Sequence, residues 1–421
     1  MIRKYRGLTV LGLVGAFLLC SCSTDLGPET LPTTAPSTEP VETVPEETEP
    51  TEEIVETEAP EPLSTAVVTD SIVEKNGRLK IDGTKIVNGD DDTVVLNGIS
   101  SFGIDECEGF FTPEIVKTLA EDWGCDVLRI AITGNDDDEG YLEDPDKYFD
   151  MVCKICDMCT DQGIYVIVDW DVRYTEEYDA NKDEAVDFFK RLSTIYPESV
   201  NVIYEVNNYP LEYEEPDEDS DDEDEETNEW EDNIIPFVSD VIEAVRENNP
   251  DSVFIVGAPR EGLDIAAASD SKLDYDNVCY GCRFFSGTHR QEQRDQVENA
   301  LDNDACVFVT EWSYCTDDCK GGIFTSESDK WAEFLEDNDI SWCNIAIGSN
   351  EGNDTNALLM DSDKYTFEQI RSGHWPDGLL SRSGAYARDL FLKDVKVTED
   401  ADSDDTGDDG ADADEETNDD E

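Results

Sequence analysis

Short apolar runs rich in Val and Ile recur through residues 93–347, alternating with longer stretches whose apolar positions fall at helical spacing. Arg78 to Val87 reads as a small hairpin turning at Asp82-Gly83, and Thr93 to Ser101 leads into a first buried strand. Thr112-Pro113-Glu114 then supplies a helix cap, a first-turn proline and a first-turn acid. Ile115, Val116, Leu119 and Trp123 follow on one helical face, and Gly124 stops it. Further strands are predicted at Asp126–Ile132, Ile164–Trp170, Val202–Val206, Val253–Gly257, Val278–Phe285, Cys306–Thr310 and Trp342–Ile347. Between them lie helical patterns at Tyr148–Cys159 (closed by Gly163), Ala185–Ile195, Ile235–Val245 and Gln291–Leu301, and through Trp331, Phe334 and Leu335. Weaker helical signals follow the Val253–Gly257 strand, and Gly384 to Leu392 supplies a last helix. Strands alternating with helices make an α/β chain, and periodicity alone permits an open doubly wound sheet or a closed (β/α)8 barrel.

The ends of the chain lack that pattern. Residues 1–22 read as a lipoprotein signal: Arg3, Lys4 and Arg6 form a basic start, and Leu8 to Leu19 an apolar stretch too short to span a bilayer. Leu19-Cys-Ser-Cys22 resembles the bacterial lipobox, which makes Cys22 the expected lipidation site and the chain an exported protein anchored to the outer face of the cell membrane. Residues 23–70 form a Pro/Thr/Glu-rich linker with little to bury, expected to be disordered and to reach on the order of 100 Å at ~3.1 Å per residue. Residues 71–393 form the globular part, and residues 394–421 an acidic tail expected to be disordered. Glu212 to Glu229 is almost wholly acidic and interrupts the globular part after the Val202–Val206 strand. It reads as a solvated loop, with a calcium or cationic-ligand site as the sharper reading.

The full chain of 421 residues carries 105 acidic and 29 basic side chains, a net charge of −76. That charge repels nucleic acid and anionic membranes, so uncharged or cationic partners are favoured, with a lipid anchor as the sole membrane link. The chain has 13 cysteines. Cys153, Cys156 and Cys159 progress around a helix as a core stripe does, and Cys279 and Cys282 point to opposite faces of a strand. Both groups read as buried thiols rather than zinc ligands, and no metal or cofactor is expected. Cys315 and Cys319 are the better disulfide candidates, with Cys107 able to compete for either.

Two strand ends carry the candidate chemistry. Asn201-Val-Ile-Tyr-Glu-Val-Asn-Asn-Tyr-Pro210 opens into a loop at Tyr209, and Val307-Phe-Val-Thr-Glu-Trp312 sets Glu311 at the end of a second strand. Two groups facing one cleft from parallel strands form the layout a retaining glycosidase needs, here with a phenol opposite a carboxylate. These two stretches resemble the acid/base and nucleophile segments of glycoside hydrolase family 5 cellulases. The similarity runs from about Gly77 to Lys393 through Leu96-Asn-Gly-Ile-Ser-Ser101, Asp122-Trp-Gly124, Arg129, Ile167-Val-Asp-Trp170, Gly287-Thr-His289 and Ser383-Gly-Ala-Tyr386. It implies the (β/α)8 barrel. It also implies Glu311 as nucleophile, Asn208 on the sugar 2-hydroxyl, Arg129 orienting the nucleophile, and Trp170 and Trp312 beside the cleft.

The departures are as specific as the matches. Tyr209 stands where the family has its acid/base glutamate, and Asp171 where a His follows Asp-Trp. Arg283 and Phe285 replace the His and Tyr of the sixth strand, Phe102 a first-strand His, and Ile345 the eighth-strand Trp that forms a sugar platform. An unperturbed phenol titrates near ~10, a poor proton donor to a leaving sugar at neutral pH. The resemblance with these substitutions implies a monomeric cell-surface barrel directed at β-linked polysaccharide or another surface glycan. Its catalysis is impaired and it serves as a glycan-binding or interaction module. The alternative is an active retaining endoglucanase using Glu311.

Overall fold

The computed structural model describes residues 71–104, 107–134, 140–172, 181–208, 229–319, 322–350, 356–360 and 365–393. The expected signal with Cys22, the linker, Tyr209, the acidic insert up to Asn228 and the acidic tail lie outside the described residues.

A short helix α1 (Ile72–Asn76) and the hairpin β1 (Lys80–Asp82) and β2 (Lys85–Val87) precede the main body. Eight parallel strands then close into a barrel in chain order. They are β3 (Asn97–Ser100), β4 (Val127–Thr133), β5 (Tyr165–Asp171), β6 (Val202–Asn208), β7 (Phe254–Gly257), β8 (Val278–Phe285), β9 (Val307–Ser313) and β10 (Ser341–Ile345). Strand β10 returns to pair with β3, so of the two sheets that periodicity permits the chain forms the closed one.

Helices α2 (Pro113–Lys117), α3 (Pro145–Gln162), α4 (Lys182–Ile195) and α5 (Ile235–Arg246) cover the first strands. The turn α6 (Pro259–Gly262) and helices α7 (Ile265–Asp270), α8 (Gln291–Asp302) and α9 (Thr325–Asp337) continue the ring. After β10 come a two-stranded ladder, β11 (Ser349–Asn350) and β12 (Leu359–Met360), then α10 (Phe367–Arg371) and α11 (Arg382–Phe391). Thr112 caps α2 by accepting the Ile115 N–H, and Gly163 ends α3 at φ 68°, where a left-handed residue is needed. Helix α1, the β11–β12 ladder and α10 carry too few periodic residues to be read from pattern. Among the described residues no helix is long and apolar enough to cross a membrane.

Alternation along the strands separates two layers of core. Val127, Tyr165, Ile167, Ile203, Ile255 and Phe308 fill the lower barrel, which Leu79, Ile86, Val94 and Leu96 close from beneath. The other strand faces pack against the helices, where Phe188 meets Tyr141, Phe149 and Trp170 edge-on or tilted at 5.2–5.7 Å.

The cysteines follow the same division. Cys156 and Cys159 on α3 are buried in the outer layer, and burial pushes the Cys125 thiol up to about 12. Cys279 faces the barrel interior and Cys282 the outer layer. Cys279 is not a thiol, however: it is bridged to Cys306, the residue just before the neighbouring strand β9. Strand pairing put the two side by side, which sequence spacing does not display. Cys315 and Cys319, the expected pair, are hydrogen-bonded sulfurs rather than a bridge. Cys107 donates instead to the Ile347 carbonyl.

Candidate active site

The upper barrel holds charge where the lower barrel holds hydrocarbon. Arg129 points inward from β4 and is fully buried with Asp169 of β5 and Glu205 of β6. Its Nε donates to Glu205 Oε2 at 2.5 Å and its Nη2 to Glu205 Oε1 at 3.0 Å, a bidentate pair. Nη1 donates to Ser100 Oγ at 2.8 Å and to Glu311 Oε1 at 2.7 Å. Asp169 Oδ2 lies 2.9 Å from Nη2, yet neither of its oxygens is aligned for a hydrogen bond. One guanidinium therefore faces three carboxylates. Burial opposes the Arg129 charge, but Asp169, Glu205 and Glu311 together hold its pKa well above the usual value. Burial pushes the Asp169 carboxyl well above the usual range against the pull of Arg129, with Glu205, Asp171 and Glu311 adding to the push. Glu205 is raised by burial in the same way.

Glu311 reaches this cluster because β9 is irregular. Phe308 faces inward and Val307 and Val309 outward, so strict alternation would turn Glu311 out and Trp312 in. The β8–β9 register slips, with Cys282 opposite Val309 but Arg283 opposite Glu311, leaving Thr310 as the extra residue. That bulge reverses the phase, aiming Glu311 at Arg129 and Trp312 at the outer layer. A second slip on β6, between Glu205 and Asn207, turns Asn208 inward, where its Nδ2 lies 3.4 Å from Glu311 Oε1. Asn207 instead makes a reciprocal pair with the Gly257 backbone. The strand accordingly runs two residues beyond its predicted end at Val206.

The structure therefore brings Glu311, Asn208, Arg129 and Arg283 together, with Asp171 buried at the end of β5 opposite Asn208. Trp170 and Trp312 are different. The sequence reading puts them beside the cleft, and the fold puts both behind the strands. Trp170 packs on Tyr141 and Phe188, and Trp312 on Phe284, Tyr314 and Trp342. Ile345 is paired with Ser100 on the inward phase of β10 and offers no aromatic face.

Arg283 marks the boundary between this cluster and a cavity of about 440 Å³ lined by Glu261, Phe285, His289 and Asp317. Its Nη1 donates to Glu261 Oε2 at 2.9 Å, and its Nε stands 3.6 Å from Glu311 Oε2. Glu261 sits in α6, where Arg260 (φ 53°), Glu261 (φ 58°) and Gly262 (φ 79°) are all left-handed. For the two non-glycine residues that costs roughly 1–2 kcal/mol each. Gly262 permits the turn to press on β8, since a Cβ there would lie 2.8 Å from Arg283 Cγ. His289 accepts the Phe285 N–H at Nδ1, and burial lowers its pKa, so the neutral ring turns Nε2–H elsewhere. Among the described residues no group of three or more His, Cys, Asp and Glu side chains is placed to hold a metal ion.

Sequence reasoning missed Glu205, Ser100 and Glu261. A lone acid inside the run Val202-Ile-Tyr-Glu-Val206 was the available signal for Glu205. Nothing in the local sequence announces the left-handed turn that presents Glu261.

The cellulase model of glycosyl hydrolase family 5 matches residues 87–351, which span the hairpin's end to the β10 loops and contain every residue of this cluster. The chain belongs to glycosyl hydrolase family 5. Endoglucanase A of Evansella cellulosilytica is 32% identical over 334 residues, 79% of this chain and 64% of that protein. An endoglucanase of Clostridium saccharobutylicum is 30% identical over 312 residues, 74% of this chain and 64% of that one. The chain thus spans 64% of the length of each. The catalytic domain of Thermobifida fusca endoglucanase Cel5A superposes with a TM-score of 0.66 at 25% identity, covering 76% of this chain and 99% of that domain. A second structure of that domain holds cellotetraose. The family-5 barrel of this chain is therefore cellulase-like in fold.

Proposed function

We propose that this family-5 barrel recognises β-linked glucan at the cell surface without appreciable turnover. The observation that carries the reading is the environment of Glu311: its carboxylate is held by Arg129 and Asn208 and faced by the second guanidinium of Arg283. Arg129 orients the carboxylate, whereas the added fixed charge of Arg283 stabilises the anion further and weakens it as a nucleophile. Position 209, where the resembled family has its acid/base, is a tyrosine. General acid–base catalysis typically contributes about 10²–10⁴-fold, and Tyr209 takes the place of the carboxyl that supplies it in the resembled family. The endoglucanase relatives and the cellotetraose bound to the Thermobifida domain support β-1,4-glucan as the ligand class. The second reading, an active retaining endoglucanase, is favoured by the intact Arg129–Glu311 pair at 2.7 Å.

Titration of the purified chain with cellotetraose, beside a glycan array, tests the ligand. Binding of β-1,4-linked glucan that is lost in Glu311→Ala is expected. Binding to a protein or an unrelated glycan alone would overturn the assignment. The surface location rests on Leu19-Cys-Ser-Cys22. Cys22→Ala is expected to move the mature protein from the membrane fraction to the soluble fraction, and an Ala variant that stays on membranes would refute lipid anchoring.

A further inference from the structure

The contacts of Arg283 are unequal. Its Nη1 is at hydrogen-bond distance from Glu261, 2.9 Å, while its Nε is 3.6 Å from Glu311 Oε2, too far for one. Glu261 and Glu311 are both carboxylates, and Arg283 is buried, so the low local dielectric strengthens either contact. The backbone favours Glu261. Three consecutive left-handed residues aim its side chain at β8, and glycine at 262 lets the turn approach within van der Waals reach of the Arg283 stem. A conformation that strained persists where the surrounding contacts fix it, and strain of this kind clusters at functional sites.

We propose that Glu261 is a positioning residue which holds the Arg283 guanidinium back from Glu311. A sugar hydroxyl, rather than the guanidinium, can then take hydrogen-bonding distance to Oε2. Glu261 thus decides whether the cavity beyond Arg283 and the Glu311 cluster form one continuous glycan site. With Glu261 neutral, its restraint on Arg283 weakens, the guanidinium closes on Glu311, and a ligand must break that ion pair to enter. Only the effect on affinity rests on the glucan reading above; the restraint on Arg283 does not.

The test pairs structure with a double-mutant cycle. Crystal structures of the wild type and Glu261→Gln are compared, and cellotetraose affinity is measured by calorimetry for wild type, Glu261→Gln, Arg283→Ala and the double variant. In Glu261→Gln the Arg283–Glu311 separation is expected to shorten from 3.6 Å to about 2.8 Å, the range of a charged hydrogen bond. Affinity is expected to fall about tenfold, an order-of-magnitude figure for one competing ion pair. In the Arg283→Ala background the Glu261 substitution should change nothing. Gly262→Ala, which lifts the turn from β8, should reproduce the closure without altering any charge. An unmoved Arg283 in both variants, or an equal loss of affinity in both backgrounds, would overturn the proposal. Should the wild type not bind cellotetraose, the glucan reading fails while the crystallographic distance still decides the role of Glu261.

Discussion

Replacing Arg129 by Met is expected to destabilise the barrel by about 3–5 kcal/mol near neutral pH, the usual cost of stripping the partner from buried charge. Arg129 is the guanidinium at the centre of Asp169, Glu205 and Glu311, and Met keeps the volume while removing the charge. The loss should depend on pH. Without Arg129 the three carboxyls take up protons in the folded state, raising their folded pKa above the unfolded value of about 4. Stability from such groups is fully present below the unfolded pKa and is lost as pH rises through the folded pKa. Arg129→Met should therefore approach wild-type stability near pH 4 and fall away toward pH 7.

Asp169 already follows this rule in the wild type, since burial raises its pKa well above the usual range. Asp169→Asn should match the wild type near pH 4 and exceed it increasingly as pH rises. Thermal unfolding of the three proteins across that range is the measurement. An Arg129→Met variant as stable as the wild type at pH 7 would show that the cluster is not charged as described.

The second large effect is catalytic. Tyr209→Glu alone is expected to raise β-glucanase activity less than tenfold, whereas adding Asp171→His and Arg283→His should raise it by about 10²–10⁴-fold over the wild type, the range of general acid–base catalysis. In a retaining pair the two carboxyls stand about 5–5.5 Å apart, and one must stay protonated to serve as acid. Arg283, with Nε 3.6 Å from Glu311, adds a fixed positive charge that would hold a restored glutamate ionised. Removing that charge is what the triple variant contributes beyond the single one. Activity in Tyr209→Glu equal to that of the triple variant would show that Arg283 does not suppress the site. Glu311→Ala in each background supplies the blank.

The barrel was largely legible because its strands are buried on both faces and read as nearly continuous apolar runs, bounded by helical periodicity. Val278–Phe285 was delimited from pattern alone and is found with those bounds. The site was legible in residue type but not in direction. Trp170 and Trp312 neighbour Asp169 and Glu311 in sequence, and alternation sends them to the other side of the sheet. For Trp312 the direction depends on a bulge at Thr310 that exists only against the register of β8 and β10, which no single strand encodes. Asn208 depends in the same way on the slip in β6. Glu261 was invisible for a related reason: a left-handed turn built on Arg260 and Glu261 contradicts their local preference and is fixed by packing on Arg283.

Turnover of cellotetraose by the wild type, followed by product chromatography beside Glu311→Ala, tests the central claim most directly. The wild type is expected to bind the oligosaccharide and to release shorter products no faster than Glu311→Ala. Sustained hydrolysis by the wild type that Glu311→Ala abolishes would contradict it and make the chain a working endoglucanase.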